Sequence, residues 1–257
     1  MILATYNING VNGRLSALLD WLAKVEPDVV CLQEIKSPAG SFPSSALRKA
    51  GYEAIVKGQR ASHGVAVLAK GVKPIFVRDA LPGDSADTQA RYLEVAVQGV
   101  LIACLYAPNG NPQPGPRFDY KLAWLARLHA HAQSLWATRQ PIALIGDYNV
   151  VPTDFDIYSA QSSWKSDALL QPEARAAFAR LLEQGWLDAL RTLHPAQRLY
   201  TFWDYKRNAW SRNAGLRIDH FLLSAPLHKK LRGGAVDVEA RALPGASDHA
   251  PAWIELA

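Results

Sequence analysis

The chain has 257 residues, 49% apolar and 20% charged, enough for one large α/β core or two small ones. No apolar run approaches the ~20 residues of a membrane-spanning helix. The N-terminal MILATYNING has no basic flank and turns polar by residue 7, so it reads as a strand and a poor signal peptide, and a cytoplasmic protein is expected. The net charge of +5, from 28 basic and 23 acidic residues, favours a polyanionic partner without selecting one.

In chain order, short apolar runs predict strands at 2–6, 28–32, 52–57, 64–69, 91–97 and 100–106. Later runs predict strands at 142–146, 217–223, weakly near 235–239, and at 252–256. Many are apolar on both faces, as strands covered on each side are. Helical periodicity interleaves with them. RLSALLDWLAKV sets Leu15, Leu18, Leu19 and Leu22 on one stripe and is closed by Pro27. A long helix over roughly 117–138 aligns Leu122, Leu125, Leu128, Ala132 and Leu135, and a third over about 172–184 opens with Pro172. This alternation predicts α/β layers. No linker or repeat divides the chain, so one domain over 1–257 is expected, with PNGNPQPGP (108–116) as a loop. Cys31 and Cys104 lie inside apolar runs and read as buried free thiols.

Several strands end in polar residues. ILATY runs into Asn7 and Asn9, VVCL into Gln33, Glu34 and Lys36, LIACLY into Pro108 and Asn109, and IALIG into Asp147 and Asn149. Asp219 and His220 sit between Ile218 and Phe221, and Ser247-Asp248-His249 precede the last strand. Strand ends are where α/β folds place chemistry. Taken singly, Glu34 reads as a loop acid, Asp147 as a turn cap and His249 as a structural histidine. Asp219, flanked by apolar residues, must be paired, hydrogen-bonded or protonated.

Together they supply what phosphodiester hydrolysis requires. Carboxylate and amide oxygens suit a hard cation, Mg²⁺ or Mn²⁺. Asp147 can deprotonate water, and Asn7, Asn149 and His249 can face phosphoryl oxygens. Asp219 can fix the His249 tautomer. Without HExxH, paired CxxC or GxxxxGK[ST], zinc and P-loop nucleotide sites are disfavoured.

The segments TYNING, LQEIK, GVAVLAK, YAPNG, GDYNVVPTDFDI, TFWDY, GLRIDHFLLS and SDHAPAWIEL occur in order from residue 2 to about 256. They resemble the exonuclease III type of AP endonuclease, within the endonuclease–exonuclease–phosphatase superfamily. The resemblance implies a four-layer α/β sandwich, two mixed sheets packed face to face with helices outside. It implies a monomer with Mg²⁺ as cofactor, Mn²⁺ substituting, that cuts double-stranded DNA 5′ to abasic sites. Members add 3′→5′ exonuclease and 3′-phosphatase or phosphodiesterase activity on 3′ ends.

By the same resemblance Glu34 is the main metal ligand, with Asn7 and Asp248 beside the metal. Tyr106 contacts the phosphate or assists the leaving group, Asp147 activates water, and Asn149 orients water or phosphate. Asp219 pairs with His249, which contacts the phosphate. Phe202, Leu216 and Ile218 wall an abasic-sugar pocket, small enough to reject a nucleotide carrying its base. Lys36, Arg60, Arg91, Asn109, Lys121 and Arg212 lie against DNA. Asp154 braces its loop, Asp156 matters less, and His220 is structural.

Asn9, where relatives carry Asn or Asp, leaves a second metal contact open, Leu216, where some carry Trp, leaves the tightness of the pocket open, and the loosely matching segment 159–175 leaves the balance of activities open. A member specialised for 3′-end trimming is the alternative, with a non-specific nuclease of the same superfamily behind it. Tyr106, where deoxyribonuclease I-like enzymes carry a histidine, disfavours the latter. A non-enzymatic DNA-end binder would have lost Glu34, Asp147 or His249, and all three are present.

Overall fold

A computed structural model of the chain describes residues 1–158 and 166–257. The first half of the chain forms β1 (Ile2–Asn7), α1 (Leu15–Val25), β2 (Val29–Gln33), α2 (Ser44–Lys49), β3 (Tyr52–Lys57) and β4 (Val65–Lys70). It continues through β5 (Ile75–Arg78), β6 (Tyr92–Val97), β7 (Val100–Tyr106), α3 (Pro116–Ala137) and β8 (Ile142–Asp147). Then come α4 (Pro172–Glu183), β9 (Leu187–Asp188), α5 (Ala189–Leu193), β10 (Asp219–Leu223), α6 (Ala225–His228), β11 (Leu231–Val236) and β12 (Ala252–Leu256). No helix among the described residues is long and apolar enough to cross a membrane.

The strands make two six-stranded mixed sheets, in the orders β11-β12-β1-β2-β4-β3 and β5-β6-β7-β8-β10-β9. Their inner faces interlock: Leu3, Val29, Val65 and Val67 of one meet Leu93, Val95, Ile102, Ile145 and Phe221 of the other. Because both faces of these strands are covered, their side chains leave water entirely, each large one contributing roughly 1.5–3 kcal/mol. The free thiols Cys31 and Cys104 lie in this seam, as their apolar runs predict. Leu18, Trp21 and Leu22 of α1 and Leu47 of α2 cover the outside of the first sheet. Trp124, Leu125 and Leu128 of α3 and Phe178 of α4 cover the second. The result is the four-layer sandwich, helix–sheet–sheet–helix.

Long periodic elements agree with the sequence to within a residue or two. The first part of the expected 217–223 strand differs: β10 starts only at Asp219, because Arg217 and Ile218 bond to the loops instead. The weak strand near 235–239 lies at Leu231–Val236. β5 has no counterpart in the prediction. It is a four-residue edge strand with Ile75, Phe76 and Val77 exposed, so no burial period marks it.

Each sheet has a parallel pair at its centre, β1–β2 and β7–β8, with Asn7 opposite Gln33 and Tyr106 opposite Asp147. β10 runs antiparallel to β8 and brings Asp219 opposite Asp147. The polar strand ends therefore converge on one edge of the sandwich. Gly146 makes one of them possible: at φ +149° it packs so closely that a Cβ would lie 1.9 Å from the Leu105 carbonyl oxygen.

Candidate active site

Asn7, at the end of β1, joins the two sheets. Its Nδ2 donates to Glu34 Oε1 and to Asp147 Oδ2, both at 3.0 Å. Glu34 leaves β2 with φ +48°, a left-handed conformation that turns its carboxylate over the sheet edge. The Tyr106 hydroxyl donates to the same Oε1 at 2.8 Å, and Lys36 Nζ lies 2.9 Å from Oε2. Burial works to raise the Glu34 pKa. The bond from Asn7, the Lys36 charge and bond, and the Tyr106 hydroxyl outweigh it and hold the carboxyl below its ordinary range. Tyr106 itself is pushed well up, by burial and then by the Glu34 charge, so it is a neutral donor.

Asp147 and Asp219 are each 1% exposed. Burial, and then the Asp219 charge, push Asp147 up to about 7, against the lowering effects of His249, Asn7 and the Asn149 backbone N–H. That N–H donates to Asp147 Oδ1 at 2.8 Å, and Asn149 Nδ2 reaches the Ala107 carbonyl and Asp147 Oδ2. His249 Nδ1 donates to Asp219 Oδ2 at 2.8 Å, and its Nε2 lies 3.8 Å from Asp147 Oδ2. Burial alone would lower the imidazole pKa. The Asp219 carboxylate, with Asp147 and Asp248, instead lifts it to about 10, which makes the ring a cation. Asp219 Oδ1 is buried with no hydrogen-bond partner among the described residues, a free acceptor in the middle of the site.

Asp248 is tied to the β1 loop. Its Oδ1 accepts from Asn9 Nδ2 at 3.1 Å, while the Ser247 hydroxyl donates to the Asn7 carbonyl at 2.6 Å. The donors available for an ion are thus carboxylate and amide oxygens, which suit a hard divalent cation; the thiols are remote in the core. Asp147, Asp219 and His249 also have ligand atoms within 4.8 Å of one another. Because His249 is held as a cation between two carboxylates, this group serves better as an electrostatic and proton-handling pole than as a ligand set.

Of the three residues assigned to a sugar pocket, only Phe202 keeps exposed surface. Leu216 is 0% and Ile218 1% exposed, packed with Val151, Ile157 and Leu169 behind it. The Phe202 ring meets the His249 ring edge-on, 5.0 Å between centroids.

Two of the expected DNA contacts are corrected. Lys121 is fully buried and donates to the carbonyls of Asn109, Asn149 and Ala168, so it ties loops together and reaches no phosphate. Arg91 is also buried, stacked on Tyr106 and bonded to its carbonyl. Lys36 is half-buried, and Arg60, Asn109 and Arg212 are exposed. Of the 159–175 segment, residues 159–165 lie outside the described residues; Asp167 and Ala168, beyond them, bond to Asn111.

The order of the two later aspartates is reversed as well. Asp154 is exposed and pairs only at the surface, with Arg175. Asp156 is 0% exposed and bonds Arg217 at 2.7 Å and Arg191 at 2.7 Å. Arg217 also spans Asp188 and His220. His220 is structural, as expected, bonded to Arg217 and the Val150 carbonyl. The sequence signal for this brace is GLRID itself: an arginine between Leu216 and Ile218 needs buried acid partners, just as the Asp219 carboxylate needs a donor.

Two acidic poles on facing edges of a β-sandwich, one partly open and one buried around an imidazolium, define a phosphodiester hydrolase of the nuclease type. The chain belongs to the endonuclease/exonuclease/phosphatase family, whose model matches residues 4–249. It is 32% identical to an exodeoxyribonuclease III of Haemophilus influenzae, over 98% of each chain. It is also 32% identical to the DNA repair nuclease APEX1 of Danio rerio, over 100% of this chain and 82% of that one. Among solved structures, the 3′ phosphatase NExo from Neisseria bound to a product DNA hairpin superposes with TM-score 0.96 and 35% identity, covering 100% and 99% of the two chains. An AP endonuclease from Archaeoglobus fulgidus gives 0.94 and 31%, with the same coverage.

Proposed function

We propose that this protein is a Mg²⁺-dependent DNA-repair phosphodiesterase that cuts duplex DNA 5′ to abasic sites and trims blocked 3′ ends, acting as a single-domain monomer. The observation that carries the reading is the Asn7 amide, which holds Glu34 and Asp147 in one hydrogen-bonded unit across the two sheets. The names of the relatives in both sequence and structure support DNA as substrate.

Glu34, Asp248 and the Asn7 amide would hold the cation, which neutralises phosphate charge and stabilises the leaving oxygen. Asp147 accepts a proton from water as the water oxygen attacks phosphorus and the bond to the leaving oxygen breaks. Asn149 keeps the Asp147 carboxylate aimed, through its backbone N–H. His249, charged and locked by Asp219, donates its Nε2 proton to a phosphoryl oxygen where negative charge builds up. Tyr106 holds Glu34 and remains protonated.

A second reading, specialisation for 3′-end trimming, is favoured by one observation: Leu216 and Ile218 are closed off, so among the three residues assigned to the pocket a flipped sugar could meet only Phe202. One experiment addresses both. A labelled duplex carrying an abasic analogue and one carrying a 3′-phosphate are incubated with Mg²⁺ or EDTA. Cutting of the first in Mg²⁺ alone supports the main reading, and processing of only the second supports the alternative. Full activity in EDTA would overturn both.

A further inference from the structure

Tyr205 lies in the TFWDY segment and takes no part in the chemistry described so far, yet its hydroxyl joins three loops. It donates to the Ala246 carbonyl at 2.8 Å, just before Ser247-Asp248-His249. It accepts from Arg14 Nη2 at 3.2 Å and from Asn9 Nδ2 at 3.4 Å. Arg14 donates also to the Asn9 and Ala246 carbonyls, so the same two loops are held twice. The ring is 52% exposed and lies under the Arg241 guanidinium, 5.0 Å from its centre.

Asn9 is the residue this arrangement controls. It has φ +48°, and its amide faces three groups at once. Nδ2 donates to Asp248 Oδ1 as well as to Tyr205, while Oδ1 accepts from Lys36 Nζ, which also pairs with Glu34. An amide has two donor hydrogens on one side and an acceptor on the other, and a flip would set its oxygen against the Asp248 carboxylate. The Tyr205 hydroxyl and Lys36 together fix the orientation in which Asn9 supports Asp248.

We propose that Tyr205 is a positioning residue for the cation site: its hydroxyl locks the Asn9 amide and the 246–248 loop so that Asp248 and Glu34 face one another ready for a divalent ion. This rests on the assignment of the cation to Glu34 and Asp248. Partners behind metal ligands commonly change affinity by about 10–100-fold when lost. Tyr205 stands one bond further out, so an effect near tenfold is expected.

The test is Tyr205→Phe, which removes one oxygen from an exposed ring. Mn²⁺ binding to the free protein is measured by electron paramagnetic resonance of unbound Mn²⁺, with Glu34→Gln as reference and melting temperature recorded for each variant. The expected result is a roughly tenfold weaker Mn²⁺ affinity for Tyr205→Phe, with turnover restored at saturating Mn²⁺ and DNA affinity in EDTA unchanged. If Glu34→Gln weakens Mn²⁺ binding and Tyr205→Phe does not, the positioning role is wrong while the cation assignment stands. If Glu34→Gln leaves Mn²⁺ binding unchanged, the cation assignment itself fails. A loss of DNA affinity in EDTA that matches the loss of Mn²⁺ affinity would also overturn the proposal, since it would mean general collapse of the loop.

Discussion

The two sheets repeat one strand pattern, a central parallel pair with two antiparallel strands on each side, yet their catalytic ends are built on opposite principles. At the β1–β2 end, Glu34 is part-exposed, surrounded by donors and held below its ordinary pKa. At the β7–β8 end, Asp147 is buried beside a second carboxylate and pushed up to about 7. A ligand for a cation should be ionised at all working pH values, whereas a general base should exchange its proton near them. One fold achieves both by surrounding one acid with donors and withdrawing the other from water.

The sharpest way to break this comparison is Asp147→Asn. Turnover on an abasic duplex should fall about 10²–10⁴-fold, the range for losing a general base, while Mn²⁺ affinity stays within a few-fold. Pre-steady-state cleavage and a Mn²⁺ titration measure the two separately. Near-normal turnover would mean the buried edge is not the base.

The buried edge also needs a scaffold that the open edge does not. Arg217, 1% exposed, neutralises Asp156 and Asp188 just below β10. Arg217→Met leaves buried Asp188 without its arginine and Asp156 with Arg191 alone, and should cost roughly 3–5 kcal/mol, read as the shift of the urea midpoint. The Asp156 carboxyl, which burial would raise, is brought down to about 2 by Arg217, Arg191 and Thr153. Its pKa is depressed, so its contribution is present above the ordinary carboxylate pKa of about 4 and lost as pH falls through 4 towards 2. The wild type should therefore lose stability in that window, and Arg217→Met should lose less there.

Next in size comes the open edge. Glu34→Gln should raise the Mg²⁺ concentration for half-maximal activity by roughly tenfold or more, with DNA binding in EDTA intact. The pH profile then reads the buried edge alone. The proposed mechanism needs Asp147 deprotonated and His249 protonated, so kcat should rise as pH climbs through about 7 and fall as it passes about 10. In Asp219→Asn, the alkaline limb should move down, because Asp219 is what raises the imidazole.

Much of this contrast is legible in the sequence. Every strand that ends in chemistry is a strongly apolar run, and the polar residues interrupting or ending it stand out: Asn7, Glu34, Asp147, Asp219 and His249. Burial of a charged side chain among polar neighbours does not stand out in the same way. Lys121 lies on the apolar stripe of α3, four residues before Leu125, and the sequence presents it as one more surface cation. Its three carbonyl partners come from loops distant in sequence, and no local pattern announces them. Tyr205 is hidden for the converse reason: an exposed tyrosine in a polar loop looks like surface, and its hydroxyl contacts show otherwise.

PTDFDI gives the smallest and most discriminating case. Its two aspartates stand two residues apart in one short turn, and the sequence ranks the first above the second. Thr153 caps that turn through Phe155 N and bonds Asp156, which draws Asp156 inward and leaves Asp154 in solvent with Arg175 as its surface partner. An exposed pair of this kind is worth about 0–1 kcal/mol, because water and salt screen it and two long side chains must be ordered to form it. Asp154→Ala should therefore move the urea midpoint by an amount within that range and leave turnover unchanged. Asp156→Ala should lower stability severalfold more, since it strips Arg217 and Arg191 of a shared partner. If Asp154→Ala proves the costlier of the two, the brace beneath the buried edge runs through the surface pair, and the contrast between the two sheet ends loses its structural basis.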